Sequence, residues 1–217
     1  VLINETWRTI QRELWITTDG HMFAGSGNES RSHGVAILSH KRWSKHVSEF
    51  QAINARIAAL SIRKGELRLQ LVSAYFPHTG YTDHHIQQLY DTASALLREA
   101  RSRRMRTILG ADFNAQVGSQ PRSPDVHSKD DAGYSQQRSD ICSYYVGPHG
   151  FGDENSRGQW LRHWATNERL AIVNTFFRKR PDKLITYTTT GGKPRQYDYI
   201  LVDRCLLPSC RNAEASN

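Results

Sequence analysis

The chain has 217 residues, 38% hydrophobic and 23% charged, and a formal net charge of +8. That length suits one sizeable domain, and the basic balance favours a polyanionic partner such as nucleic acid. No apolar run approaches the ~18 residues of a membrane span. Three cysteines, Cys142, Cys205 and Cys210, form no CxxC pair, which argues against a disulfide framework or a zinc knuckle and suits a reducing compartment.

Residues 1–4 are an apolar, strand-like run that leads into Asn4-Glu5-Thr6. Because the chain opens in the middle of such a run, residue 1 is not read as a natural start. Residues 34–38 form a second short buried-strand pattern. Residues 55–63 and 66–75 flank Lys64-Gly65, a hairpin signal, and the second arm runs into Tyr75-Phe76-Pro77-His78. From Asp83, taken as the N-cap, Ile86, Leu89, Tyr90, Ala93, Leu96, Leu97 and Ala100 recur at helical spacing. His84 and His85 fall in its first turn and are expected to be solvated. A basic cluster follows (Arg98, Arg101, Arg103, Arg104 and Arg106), and residues 106–110 read as the next buried strand.

Residues 116–147 are a polar stretch with Pro121 and Pro124, longer than the ~15 residues that connections usually reach, and read as a variable loop. Tyr144 and Tyr145 are expected to anchor its end. The segment from Gly150 to Gly158 is a glycine-rich entry to a helix carrying Leu161, Trp164, Ala165 and Leu170, with Trp160 and Trp164 expected in the core. Residues 171–174 and 196–202 read as strands, the second with Asp198 inside it. The pattern is α/β: strands in hairpins and mixed pairings, with a few helices covering sheet faces.

The chemistry concentrates at strand ends. Asp112 and Asn114 follow an apolar strand two positions apart, and on extended backbone both would point to one side. A carboxylate there can take a proton from water or hold a metal, and a neutral amide can orient that water or a phosphate oxygen. Tyr75, Glu5 and Asp198 occupy comparable places, where α/β folds gather their sites.

Gly110-Ala111-Asp112-Phe113-Asn114, Tyr75-Phe76-Pro77, the entry from Gly152 through Asn155 to Gly158, Asp198-Tyr199-Ile200-Leu201 and Val173-Asn174-Thr175-Phe176-Phe177 occur in one chain. Together they resemble the endonuclease/exonuclease/phosphatase superfamily, over nearly the whole sequence. The nearer likeness is to the apurinic-endonuclease-like domains of non-long-terminal-repeat retrotransposons and their craniofacial-development-protein-like relatives. That resemblance implies a DNase I-like four-layer α/β sandwich, two mixed sheets flanked by helices, in one partial domain spanning residues 1–217, incomplete at both termini.

The resemblance also implies roles. Glu5 looks like the acid that binds the divalent metal, and Tyr75 like the tyrosine facing the scissile phosphate. Asp112 looks like the residue that prepares the attacking water, with Asn114 as its partner at the phosphate. Asn155 matches the asparagine of a substrate-side loop, Asp198 matches an acid near the end of the family pattern, and His78 is a candidate phosphate contact. Magnesium is the expected ion, with manganese as the alternative, and DNA the expected substrate. A reverse transcriptase is expected downstream and a nuclear setting follows from that reading. The family's C-terminal Ser-Asp-His segment does not occur before Asn217, and none of the ten histidines fits its role, so weak activity or none is expected of the chain as written. Two alternatives remain: a catalytically impaired copy that at most binds nucleic acid, and a phosphatase of the same superfamily with a different substrate.

Overall fold

A computed structural model describes residues 1–78, 80–119 and 143–216, so residues 120–142 of the polar stretch, Cys142 among them, lie outside the described residues. The chain divides into two compact units, Val1–Phe113 and Asn114–Asn217.

The first unit is a pair of sheets with a helix on the outside. Strands β1 (Leu2–Asn4), β2 (Glu13–Ile16), β3 (Met22–Ser26) and β4 (Val35–Ser39) form a four-stranded antiparallel sheet in the order β1-β4-β3-β2. After a short helix, α1 (Lys41–Ser44), strands β5 (Val47–Asn54), β6 (Ile57–Lys64), β7 (Leu67–Tyr75) and β8 (Arg106–Asp112) pair in chain order. The first three of these pair antiparallel, and β8 joins β7 parallel after α2 (Asp83–Ser102), the crossover that a parallel pair requires.

The expected hairpin is present. Gly65, at a left-handed φ of 56°, supplies its turn, one residue later than the sequence signal suggested. Strands β2, β3 and β5 carried no such signal. β2 is largely exposed and β3 ends in three small residues, so neither shows a clean alternation.

Side chains alternate across β7 and β8, and this alternation positions the site. Ser73 and Gly110 face β1: the Ser73 hydroxyl donates to Ile3 O at 3.0 Å, and a Cβ on Gly110 would meet Leu2 Cδ1 at 2.7 Å. Phe76, by contrast, packs on Tyr90 of α2, ring centroids 4.7 Å apart. Between the sheets lie Ala24, Val35, Ile37, Phe50, Ala58 and Leu60. Each large apolar side chain fully buried there contributes about 1.5–3 kcal/mol.

α2 buries the predicted stripe from Ile86 to Ala100. Its N-cap is Thr82, not Asp83: the threonine hydroxyl accepts from His85 N, and Asp83 takes the first turn, where a carboxylate suits the helix dipole. His84 and His85 are exposed.

In the second unit α3 (Ser156–Asn167) packs on β9 (Leu170–Ile172), which pairs antiparallel with β12 (Asp198–Asp203). A two-residue ladder joins β10 (Tyr187–Thr188) to β11 (Pro194–Arg195). The strand expected over residues 171–174 ends at Ile172, and Val173–Phe176 wind into a 3-10 turn. Polar side chains take over the ladder there. Asn174 Oδ1 accepts from Ile200 N at 2.8 Å, while Thr175 Oγ1 donates to Ile172 O and accepts from Gly147 N. Trp160 and Trp164 are half-buried, not core, and Arg157 lies over the Trp160 ring at 4.9 Å. Tyr144 is exposed, with the Arg204 guanidinium 4.1 Å from its ring centroid.

Candidate active site

In the first unit Glu5, Tyr75 and Asp112 come together. Tyr75 and Asp112 end β7 and β8 and are direct partners in the parallel register. They have the strand parity of Ser73 and Gly110, so both aim toward the end of β1. Asn4 closes the junction: its side-chain oxygen accepts from Asp112 N at 2.9 Å, and its nitrogen donates to Ala74 O at 3.1 Å and Ser73 Oγ at 3.2 Å. Glu5, the next residue, is exposed at the strand end with a left-handed φ of 53°. The Glu5 carboxylate acts on the Tyr75 phenol. Burial first, then Glu5 and Asp112, push the Tyr75 phenol well above its ordinary value, so it stays a neutral donor.

Two residues that sequence reasoning passed over complete this cluster. Arg56 lies against two tyrosine rings, its guanidinium carbon 5.1 Å from the centroid of Tyr75 and 5.0 Å from that of Tyr81. It donates from one nitrogen to Tyr75 O at 3.3 Å and meets His33 Nε2 with the other at 3.0 Å. An arginine can only donate, so His33 Nε2 is the acceptor and the ring proton sits on Nδ1. Burial, then the Arg56 charge, hold the His33 imidazole below its ordinary value, in keeping with that neutral tautomer. The His33 ring lies 5.8 Å from Tyr75. Among the ten histidines read as fitting no family role, His33 is thus one whose ring lies beside Tyr75. His33 lies 42 residues before Tyr75 in the sequence, in a loop held by backbone bonds from Thr6 N to Gly34 O, from Trp7 N to His33 O and from Gly34 N to Ala55 O.

His78 sits at the rim. It is exposed, accepts from Gly80 N at 3.0 Å and meets Tyr81 edge-on at 5.0 Å. Beside the cluster opens a hollow of about 500 Å³ whose walls include Arg56, Pro77, Tyr81 and His85.

In the second unit Asn155 is the N-cap of α3. Its Oδ1 accepts from Gly158 N at 2.8 Å and from Gln116 N at 3.1 Å. Gln116 Nε2 reaches Asp153 O at 2.7 Å, and Asn155 N donates to Gln116 O at 3.0 Å. The oxygen of Asn155 thus fastens its own loop. Asn114 has a left-handed φ of 47°, and β8 ends at Asp112. The extended backbone that would have aligned Asp112 with Asn114 is absent. Asp198 is half-buried at the start of β12, where its N–H donates to Thr186 Oγ1 at 3.2 Å. Next to it Tyr199 is fully buried, donating to Gln196 O and accepting from Val117 N.

Among the described residues no three His, Cys, Asp or Glu side chains group to hold a metal ion. A hard divalent cation of the magnesium type needs no such cage, since it takes one or two carboxylates and keeps several waters. The exposed Glu5 carboxylate meets that requirement. Cys205 and Cys210 are free thiols, and no helix among the described residues is long and apolar enough to cross a membrane.

This mixed α/β fold, with carboxylates, a tyrosine and amides at strand ends, is DNase I-like. The profile of the Endonuclease/Exonuclease/phosphatase family matches residues 1–211, and the chain belongs to that family. It is 26% identical over 201 residues to craniofacial development protein 2 of Bos taurus, covering 92% of this chain but only 30% of that protein's length. Among solved structures it resembles the catalytic domain of APE2 from Xenopus laevis, with a TM-score of 0.61 and 12% identity over 95% of this chain and 74% of the other. It also resembles the endonuclease domain of TRAS1, a telomere-specific non-LTR retrotransposon, with a TM-score of 0.52 and 13% identity over 92% and 70% of the two chains.

Proposed function

We propose that this chain hydrolyses phosphodiester bonds of DNA with the help of a divalent cation, as the nicking domain of a larger retroelement-type protein. The observation that carries the reading is the meeting of Glu5, Tyr75 and Asp112 at one end of the first unit's strands, with Tyr75 under the charge of Glu5 and paired in register with Asp112. The net charge of +8 supports a polyanionic substrate, as do the family and the nuclease domains it resembles.

Glu5 would hold the cation, magnesium by its preference for oxygen ligands, which when bound supplies Lewis-acid stabilisation of phosphate charge. Asp112 takes a proton from the attacking water. Tyr75, kept neutral, donates a hydrogen bond to a phosphate oxygen. Arg56 holds the Tyr75 ring and backbone and adds positive charge to that wall. Asn114 and Asp198 are assigned to the phosphate and to support of the reacting groups, and the amide nitrogen of Asn155 and His78 to the flanking backbone. A reverse transcriptase elsewhere in the same polypeptide and a nuclear setting belong to this reading.

The test is nicking of supercoiled plasmid by the protein that carries this chain. Magnesium-dependent nicking is expected, abolished by chelation and lowered about 10²–10⁴-fold by Asp112→Ala, the range for loss of a general base. Glu5→Gln should raise the magnesium requirement with little change in melting temperature, because Glu5 is exposed. Nicking that survives chelation and both substitutions, or preferential hydrolysis of inositol polyphosphate or sphingomyelin in parallel assays, would overturn the reading.

A further inference from the structure

We infer that Trp7 and Arg31 form a nucleotide-binding platform beside Glu5, on which an unpaired base flanking the cleaved phosphate stacks; the inference rests on the DNA reading above. Trp7 is 59% exposed, and its ring and indole N–H have no partner among the described residues. Its backbone is left-handed at φ 55°, a conformation that bulky residues avoid. Glu5, Arg31 and His33 share that conformation, at φ 53°, 51° and 67°. The four residues belong to two facing loops fastened by Thr6 N to Gly34 O at 3.0 Å, Trp7 N to His33 O at 2.9 Å and Asn28 N to Arg8 O at 3.1 Å.

The loops leave no slack. A Cβ on Gly27 would lie 2.1 Å from Arg8 O, and one on Gly34 would lie 2.4 Å from Thr6 Oγ1. Backbone strain that its surroundings over-determine in this way clusters at working surfaces. Here it turns a large aromatic ring into solvent two residues from the proposed cation ligand.

The surface has the chemistry of a nucleotide site. Trp7 lines a hollow of about 620 Å³ with Thr6, Arg8, Thr9, Ile10 and Arg31. Arg8 is engaged by Glu13 and also lies over the Phe23 ring, but Arg31 is exposed and makes no ion pair among the described residues. An exposed indole with a free cation beside it fits a base and its phosphate together, because every base offers a π-face and every linkage a charge. Trp15 is the internal contrast. It is 43% exposed, but it stacks on Phe23 at 4.9 Å and gives its indole N–H to Glu13.

The experiment compares binding of three probes under chelating conditions: a single-stranded oligonucleotide, a fully paired duplex of the same sequence, and inositol hexakisphosphate as an anion without a base. Trp7→Ala should weaken single-strand binding about 10–100-fold, the scale of one base–aromatic stack, and leave inositol hexakisphosphate unchanged. Trp7→Phe should retain most of the affinity yet lose the tryptophan quenching seen on binding. Arg31→Ala should weaken both nucleic acids alike and flatten the salt dependence by about one unit. Trp15→Ala, the control, should bind as wild type does, and all variants should melt within a few degrees of one another. If wild type binds DNA and Trp7→Ala binds every probe equally well, the platform is refuted while the DNA reading stands. If wild type binds no oligonucleotide, the DNA reading itself falls and takes the platform with it.

Discussion

The loops around Glu5 in the first unit and around Asn155 in the second are both tightly fastened, but they spend their polar groups in opposite ways. Around Glu5 the backbone carries the fastening, through left-handed residues and main-chain bonds, and the side chains of Glu5, Trp7 and Arg31 are left exposed. Around Asn155 the side chains are the fastening. Asn155 Oδ1 serves two N–H groups, Gln116 is buried and reaches Asp153 O, and Gln196 accepts from Phe151 N. A polar residue whose hydrogen-bonding capacity is consumed inside its own unit acts on substrate mainly through the loop it holds. One held out by strained backbone is available to a ligand.

The comparison breaks most easily at Asn155. Asn155→Ala removes the α3 cap and leaves the N–H of the buried Gln116 without its acceptor, so a loss of about 2–4 kcal/mol is expected in denaturant unfolding. Asn155→Asp keeps the oxygen that serves both N–H groups and should recover most of that stability. If the aspartate variant folds normally yet loses DNA cleavage, the amide nitrogen contacts substrate and Asn155 holds both roles. If it folds and cleaves normally, its role is confined to the loop.

A smaller loss, about 1 kcal/mol, is expected for Gly158→Ala. A Cβ there would lie 1.9 Å from Gln116 O, a backbone clash whose overpacking cost of ~1–3 kcal/mol exceeds the ~1 kcal/mol gain in helix propensity. A thermal melt at or above the wild-type temperature would show that the loop yields and that the fastening is looser than its geometry implies.

The third expectation concerns alkali. Burial raises the Tyr199 phenol above its ordinary value, so the folded state holds that proton after the unfolded chain has lost it. Stability on this account is fully present below about pH 10 and falls above it by up to ~1.4 kcal/mol per pH unit. Tyr199→Phe should flatten that slope in melts taken between about pH 10 and 11, while lowering stability at neutral pH by the two lost hydrogen bonds. An unchanged slope would place the alkaline sensitivity elsewhere, with the half-buried Tyr75 of the first unit the next residue to substitute.

What the sequence determined by itself was local and chemical. The stripe from Ile86 to Ala100 fixed α2, Gly65 marked a hairpin, and the apolar run ending in Asp112 put a carboxylate at a strand end, because periodicity, turn conformation and strand burial are short-range demands. Glu5, Tyr75 and Asp112 were legible through motifs, and the family match agrees with the resemblance that those motifs suggested. The tertiary structure alone decided the company they keep. Asn4 joins β1 to β7 and β8, while Arg56 and His33 come in beside Tyr75 from a strand start and a loop. No spacing rule encodes these meetings, since they depend on which sheet faces pack together and on backbone conformations that most side chains avoid. The same physics explains why Asn155, read as a substrate contact, proved to have its oxygen already committed.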